Sequence, residues 1–183
     1  MRKAVSMFAG AIATVILAMS ASAQTTTQTG VGKGGSPHVK SEWTIGGAHI
    51  AIEYGRPSLK GRAESMMMPL DKPWRTGADA ATVITSDKPL KFGAISLAPG
   101  SYTINTEPRA KEWQLLVGKL SKPGQWGIPY DASLEIGRTP MKLGKTSATV
   151  EQVTYSIDTT PAGGTLRIEW GTTSATVPFT IGK

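Results

Sequence analysis

The sequence predicts an all-β protein: an antiparallel β-sandwich or jelly-roll-like barrel with little helix. Three observations carry this. Apolar and polar residues alternate with a period of two in one short run after another. Clusters of Gly and Pro separate those runs. Beyond residue 23, no ten-residue stretch carries an apolar stripe of helical period.

Residues 1–23 read as an export signal. Arg2 and Lys3 precede 16 uncharged residues, and Ala21-Ser22-Ala23 forms a small-x-small exit. As a helix that apolar run is about 24 Å long, short of the ~30 Å hydrocarbon core. The expected mature chain starts at Gln24 and is soluble, periplasmic or secreted, with no membrane span after signal removal. It carries 18 basic and 13 acidic residues, a net charge of +5. The Lys residues are scattered and form no track for nucleic acid. The absence of cysteine excludes disulfides, thiolate nucleophiles and thiolate metal sites.

Residues 24–36 hold one apolar side chain, Val31, and are expected to be a flexible linker. Their Gly30–Gly35 segment superficially resembles a phosphate loop. It lacks the preceding strand and following helix that such a loop needs. A single β-sandwich domain is expected over residues 37–183. Ile50, Ile52 and Tyr54 share one face of a strand over residues 48–54. Val153, Tyr155 and Ile157 do the same, as do Leu166, Ile168 and Trp170, and Val177, Phe179 and Ile181. Residues 81–85, 90–97, 101–106 and 113–117 are further strands, giving about nine in all. Ala162-Gly163-Gly164-Thr165 reads as a hairpin turn. Pro178 cannot donate to a ladder and needs a free position. Trp113, Tyr155, Trp170 and Phe179 are the expected core fillers.

The segment between Tyr54 and Thr82 joins two strands yet holds Arg56, Arg62, Trp74, Arg75 and Asp79. A guanidinium presents five donors in a rigid fork that suits carboxylate or phosphate. The three arginines are expected to converge with Asp79 close by, either as an anion pocket or as braces on backbone carbonyls and acids. Trp74 and Trp126 suit stacking on a sugar or locking a loop. Met66, Met67 and Met68 suit gap filling under the loop. His38 and His49 are the two histidines, and no Gly-x-Ser-x-Gly elbow accompanies them. No metal site and no cofactor is expected.

The motifs Tyr54-x-Arg56-Pro57, Gly61-Arg62 and Trp74-Arg75-Thr76-Gly77-Ala78, followed by Ala81-Thr82, resemble a bacterial family known only as domain of unknown function 2911. Gly100, Tyr102, Glu112-Trp113, Trp126-Gly127 and Arg138 continue the resemblance, which runs from about Ser36 to Ile181. Asp79 stands where the family pattern has Asn, and Ala80 where it has Glu. The resemblance implies an exported β-rich domain and supplies no reaction. The leading expectation is a noncatalytic binding or interaction domain for a small anionic or glycan ligand, or for an envelope component. Its candidate residues are Tyr54, Arg56, Arg62, Trp74, Arg75 and Asp79. Two alternatives stand beside it: a hydrolase of cell-envelope material using Asp79 and the nearby arginines, and a structural envelope protein.

Overall fold

The computed structural model describes residues 24–182; the expected signal, residues 1–23, lies outside them. Ten strands follow in order: β1 (Thr25–Val31), β2 (Pro37–Ile45), β3 (Ala48–Gly55), β4 (Val83–Ser86), β5 (Leu90–Phe92), β6 (Ile95–Leu97), β7 (Gly100–Glu107), β8 (Trp113–Lys119), β9 (Glu135–Thr160) and β10 (Gly163–Ile181). The helical content among the described residues is two single 3-10 turns, Glu64–Met66 and Ala132–Leu134. No helix among these residues is long and apolar enough to cross a membrane.

The strands form one antiparallel sheet in the order β1-β2-β3-β4-β7-β8-β9-β10-β5-β6, and the sheet is not closed. The long β9 links its two halves. Residues Glu135–Met141 of β9 pair with β8, and Lys142–Thr160 pair with β10. The sheet folds back so that β9 and β10 lie over β2 and β3. Ile50, Ile52, Ile84, Ile104 and Leu115 from one half meet Tyr155, Leu166, Ile168, Trp170 and Phe179 from the other in one buried cluster. This is the two-layer core that the alternation predicts, because a half-buried strand points every second side chain inward. Phe92 packs against Phe179 with ring centroids 5.3 Å apart. The Tyr155 ring meets the edge of Tyr54 at 4.5 Å.

Four sequence expectations need correction. The β9–β10 turn is Pro161-Ala162 rather than Ala162–Thr165, because Gly163, Gly164 and Thr165 already pair with Thr160, Thr159 and Asp158. Residues 25–31 are a strand rather than a flexible linker. They pair with β2 from Thr25 opposite Glu42 to Val31 opposite Pro37. Backbone ladder bonds hold this polar edge strand, helped by the Thr26 and Ser41 hydroxyls, 2.9 Å apart. The Gln24 side chain donates to the Tyr155 carbonyl, 3.2 Å away. Residues 90–97 are two strands rather than one. Gly93 turns between them at φ 56°, a left-handed conformation that favours glycine. Residues 177–181 continue β10 instead of forming a separate strand. Pairing with β9 ends at Thr176 and pairing with β5 begins at Thr180, so Pro178 falls between the two ladders.

Candidate functional site

The loop from β3 to β4 crosses the end of the folded sheet, and its three arginines meet different fates. Arg56 donates from Nε to the Val153 carbonyl (3.1 Å) and from Nη2 to Thr154 Oγ1 (2.9 Å). Arg62 donates from Nε to the Leu59 carbonyl (2.9 Å) and from Nη2 to the Ser58 carbonyl (3.1 Å). Both brace backbone that lacks ladder partners. Arg75 donates only from Nε, to the Gly77 carbonyl at 3.2 Å. Its Nη1 is buried without a hydrogen-bond partner, and its Nη2 has none among the described residues. Burial holds this guanidinium below its ordinary pKa, and the Asp79 charge opposes that shift.

Local sequence explains the placement of Arg75. The Trp74 backbone exchanges hydrogen bonds with Thr106 on β7, at 2.7 and 2.8 Å. The Trp74 ring stacks on Trp170 at 5.5 Å and meets the edge of Trp113 at 6.1 Å. Trp74 is thus the lock of the loop, and the next residue is half-buried. Thr76 then turns the chain at φ 53°, a strained value for a β-branched residue. Three contacts hold it there. Its hydroxyl donates to the Trp74 carbonyl and meets Thr106 Oγ1 at 2.8 Å, and its carbonyl accepts from the Tyr155 hydroxyl at 2.9 Å. Tyr54 supports the same corner from inside: it is buried, and its hydroxyl accepts from the Tyr155 backbone N–H. Its ring belongs to the buried core.

Asp79, also at positive φ, pairs with His38 rather than with an arginine; Nε2 and Oδ2 are 2.9 Å apart. The glycine-rich turn before β2 packs directly on this pair. A Cβ on Gly32 would lie 1.7 Å from Asp79 Oδ2. Sequence reasoning missed the pair because 41 residues separate its members.

Two clefts share Arg75, Trp74 and Met67 in their walls. The polar one, about 290 Å³, adds Lys60, Arg62, Asp79 and the Ser36 and Ser58 hydroxyl-bearing residues. The apolar one, about 400 Å³, is lined by Met66, Met67, Met68, Trp74, Ile128 and two prolines, with Arg75 its one polar lining residue. Arg56 and Tyr54 line neither. The expected convergence therefore covers Arg62, Trp74, Arg75 and Asp79. Met67 and Met68 pack against the core as gap fillers, whereas Met66 is 76% exposed. Opposite them, the guanidinium carbon of Arg75 lies 5.7 Å from the centre of the Trp126 ring. A side chain on Gly127 would strike Arg75 Cδ at 2.6 Å, so the glycine leaves the space through which Arg75 passes.

The segment bearing Trp126 and Ile128 is anchored further along by an ionic cluster. Arg138 donates from Nη1 to Glu107 Oε2 (3.0 Å) and from Nη2 to Glu135 Oε2 (2.6 Å). Tyr130 donates to the same Glu135 carboxylate, and Arg109 pairs with Glu107. The hydrogen bond from Arg138 holds the Glu135 carboxyl below its ordinary pKa, with Tyr130 adding to the shift. Arg138, singled out by its family pattern, is a brace here. No three His, Asp or Glu side chains gather as a metal ligand set among the described residues.

The segment from Trp74 to Thr82 thus forms a loop lock that holds Arg75 where two clefts of an all-β domain meet, with no acceptor on its terminal nitrogens among the described residues. Residues 36–179 match the family described as protein of unknown function (DUF2911), and the chain belongs to that family. No curated protein and no solved structure matches it.

Proposed function

We propose that this chain is a noncatalytic binding module that works outside the cytoplasm and holds an anionic group, a carboxylate or acidic sugar, on Arg75. One observation carries the reading: Arg56 and Arg62 have hydrogen-bond partners on two nitrogens each, whereas both terminal nitrogens of Arg75 lack them. A guanidinium whose desolvation is not offset by acceptors gains from an incoming anion. Lys60 and Arg62 in the polar cleft add positive potential around it. Titration calorimetry with glucuronate tests this. Arg75→Lys weakens binding about tenfold, about 1.4 kcal/mol, because lysine keeps the charge and loses the fork. Arg56→Lys lowers stability and leaves the affinity in place. Unchanged glucuronate affinity in Arg75→Lys, or no anion binding at all, overturns the assignment. Export is tested by N-terminal sequencing of the purified mature protein. A start at Gln24 supports it, and a start at Met1 in a membrane fraction overturns it.

A hydrolytic role for Asp79 is the second reading, favoured by its pairing with His38, since a carboxylate can orient an imidazole for proton transfer. Soluble fragments released from peptidoglycan by the wild type and not by Asp79→Asn would support it. No release by the wild type excludes it for that polymer.

A further inference from the structure

The apolar cleft beside Arg75 has no role in holding an anion alone. Its wall side chains other than Arg75 are methionine, tryptophan, proline and isoleucine, although polar atoms make up close to half of its surface. The rim is open as well: Met66 and Ile128 are each more than half exposed. Methionine side chains are unbranched and polarizable, so a wall of three can adapt to a flexible apolar group. At about 400 Å³ the space falls within the ordinary range of small-molecule pockets, about 300–1,000 Å³. Only one polar residue faces this space, and that residue is the arginine with free terminal nitrogens.

We infer that the ligand is an amphiphile, with one anionic head on Arg75 and an alkyl or aryl tail lying along Met66, Met67, Met68 and Ile128. This rests on the anion reading of Arg75 and adds the chemical class of the ligand. The charge pattern selects for it. A polyanion would leave charges against the methionines, and a neutral hydrocarbon would leave the buried Nη1 without an acceptor. The tail is anchored beside the head because Trp74 and Met67 belong to both clefts.

The test is a calorimetric series of acetate, hexanoate, octanoate and decanoate below their aggregation concentrations, with 1-decanol and glucuronate alongside. Each methylene that enters the cleft tightens binding by up to about fourfold. With about four of its methylenes in the cleft, decanoate should bind on the order of a hundredfold more tightly than acetate, and 1-decanol more weakly than decanoate. Ile128→Ser, at an exposed position, should flatten the chain-length dependence. If glucuronate binds but the fatty acid series is flat, the amphiphile inference fails and the anion reading stands. If 1-decanol equals decanoate and Arg75→Lys changes neither, the head assignment fails, and with it the anion reading. If sedimentation of the ligand-free chain shows a dimer that Ile128→Ser dissociates, the patch serves a second copy and the inference is overturned.

Discussion

Removing one oxygen atom from the core tests how the loop of Arg75 is held. Tyr155 is fully buried, and its ring packs on Tyr54. Tyr155→Phe keeps the ring and deletes the hydroxyl that donates to the Thr76 carbonyl at 2.9 Å. That carbonyl then retains only Thr82 Oγ1, at 3.5 Å, the outer limit of a hydrogen bond. Thr76 is itself fully buried, so water cannot replace the lost donor. An orphaned buried acceptor costs about 1–3 kcal/mol. At about 2 kcal/mol, a domain of this size loses roughly 4–8 °C in Tm. Urea unfolding followed by tryptophan fluorescence, with the m value unchanged, gives the same difference at pH 7. A second readout is the alkaline limb. Burial raises the Tyr155 pKa above its ordinary 10.0. Its contribution is therefore complete below pH 10 and declines as pH rises above it, by about 1.4 kcal/mol per unit. The variant lacks this term, so the gap between wild type and variant narrows above pH 10. A variant within 0.5 kcal/mol of wild type at pH 7, with a gap that stays constant to pH 11, would refute the argument.

Three further outcomes follow from the same geometry. Glu64→Ala removes the carboxylate that accepts from the Thr172 N–H at 2.8 Å and the Thr173 hydroxyl at 2.6 Å, both on β10. It should lower stability by about 1–2 kcal/mol in chemical denaturation and expose the Met66–Met68 segment to faster limited proteolysis. Gly127→Ala drives a methyl group into the path of Arg75. Glucuronate affinity should fall at least fivefold, with quenching of Trp126 by the guanidinium altered; an unchanged titration would show that Arg75 is not gripped there. Glu135 has a depressed folded pKa through Arg138, so its contribution is complete above its ordinary 4.5 and is lost as pH falls through the lower folded value. Glu135→Gln should therefore flatten the acid limb of a Tm-against-pH curve below pH 4.5, whereas parallel curves would remove the ion cluster as its cause.

The alternation of apolar side chains made β3, β7, β8 and the arms of the β9–β10 hairpin legible, because inward residues such as Ile52, Leu115 and Ile168 are fixed by burial. β1 was illegible for the opposite reason: its seven residues bury almost nothing, and its strand character comes from a partner's backbone. In the first half of β9 the inward Gly137 and Thr139 carry no apolar signal, which leaves the inward Met141 and Leu143 without a run to extend. At the site, composition revealed a dense set of guanidinium groups in one loop. Whether each had acceptors depended on residues about a hundred positions away, as for Arg56 with Val153, or on three-residue backbone geometry, as for Arg62. The open face of Met66 and Ile128 was equally hidden, since methionine reads as filler until its neighbours are known.

The strand order has a kinetic consequence. β4 and β7 are neighbours in the sheet, yet the β5–β6 hairpin that separates them in sequence lies at the far edge, joined to β10 through Thr180 and Ile181. That edge cannot form until Thr180 and Ile181 are present, so a nascent or refolding molecule waits with Leu90, Phe92, Ile95 and Leu97 uncovered. Topologies with such distant pairings fold on the millisecond-to-second scale or slower. Loss of Thr180 and Ile181 would leave the hairpin without its partner strand, and the exposed edge, rather than the arginine loop, would then decide whether the chain folds or aggregates.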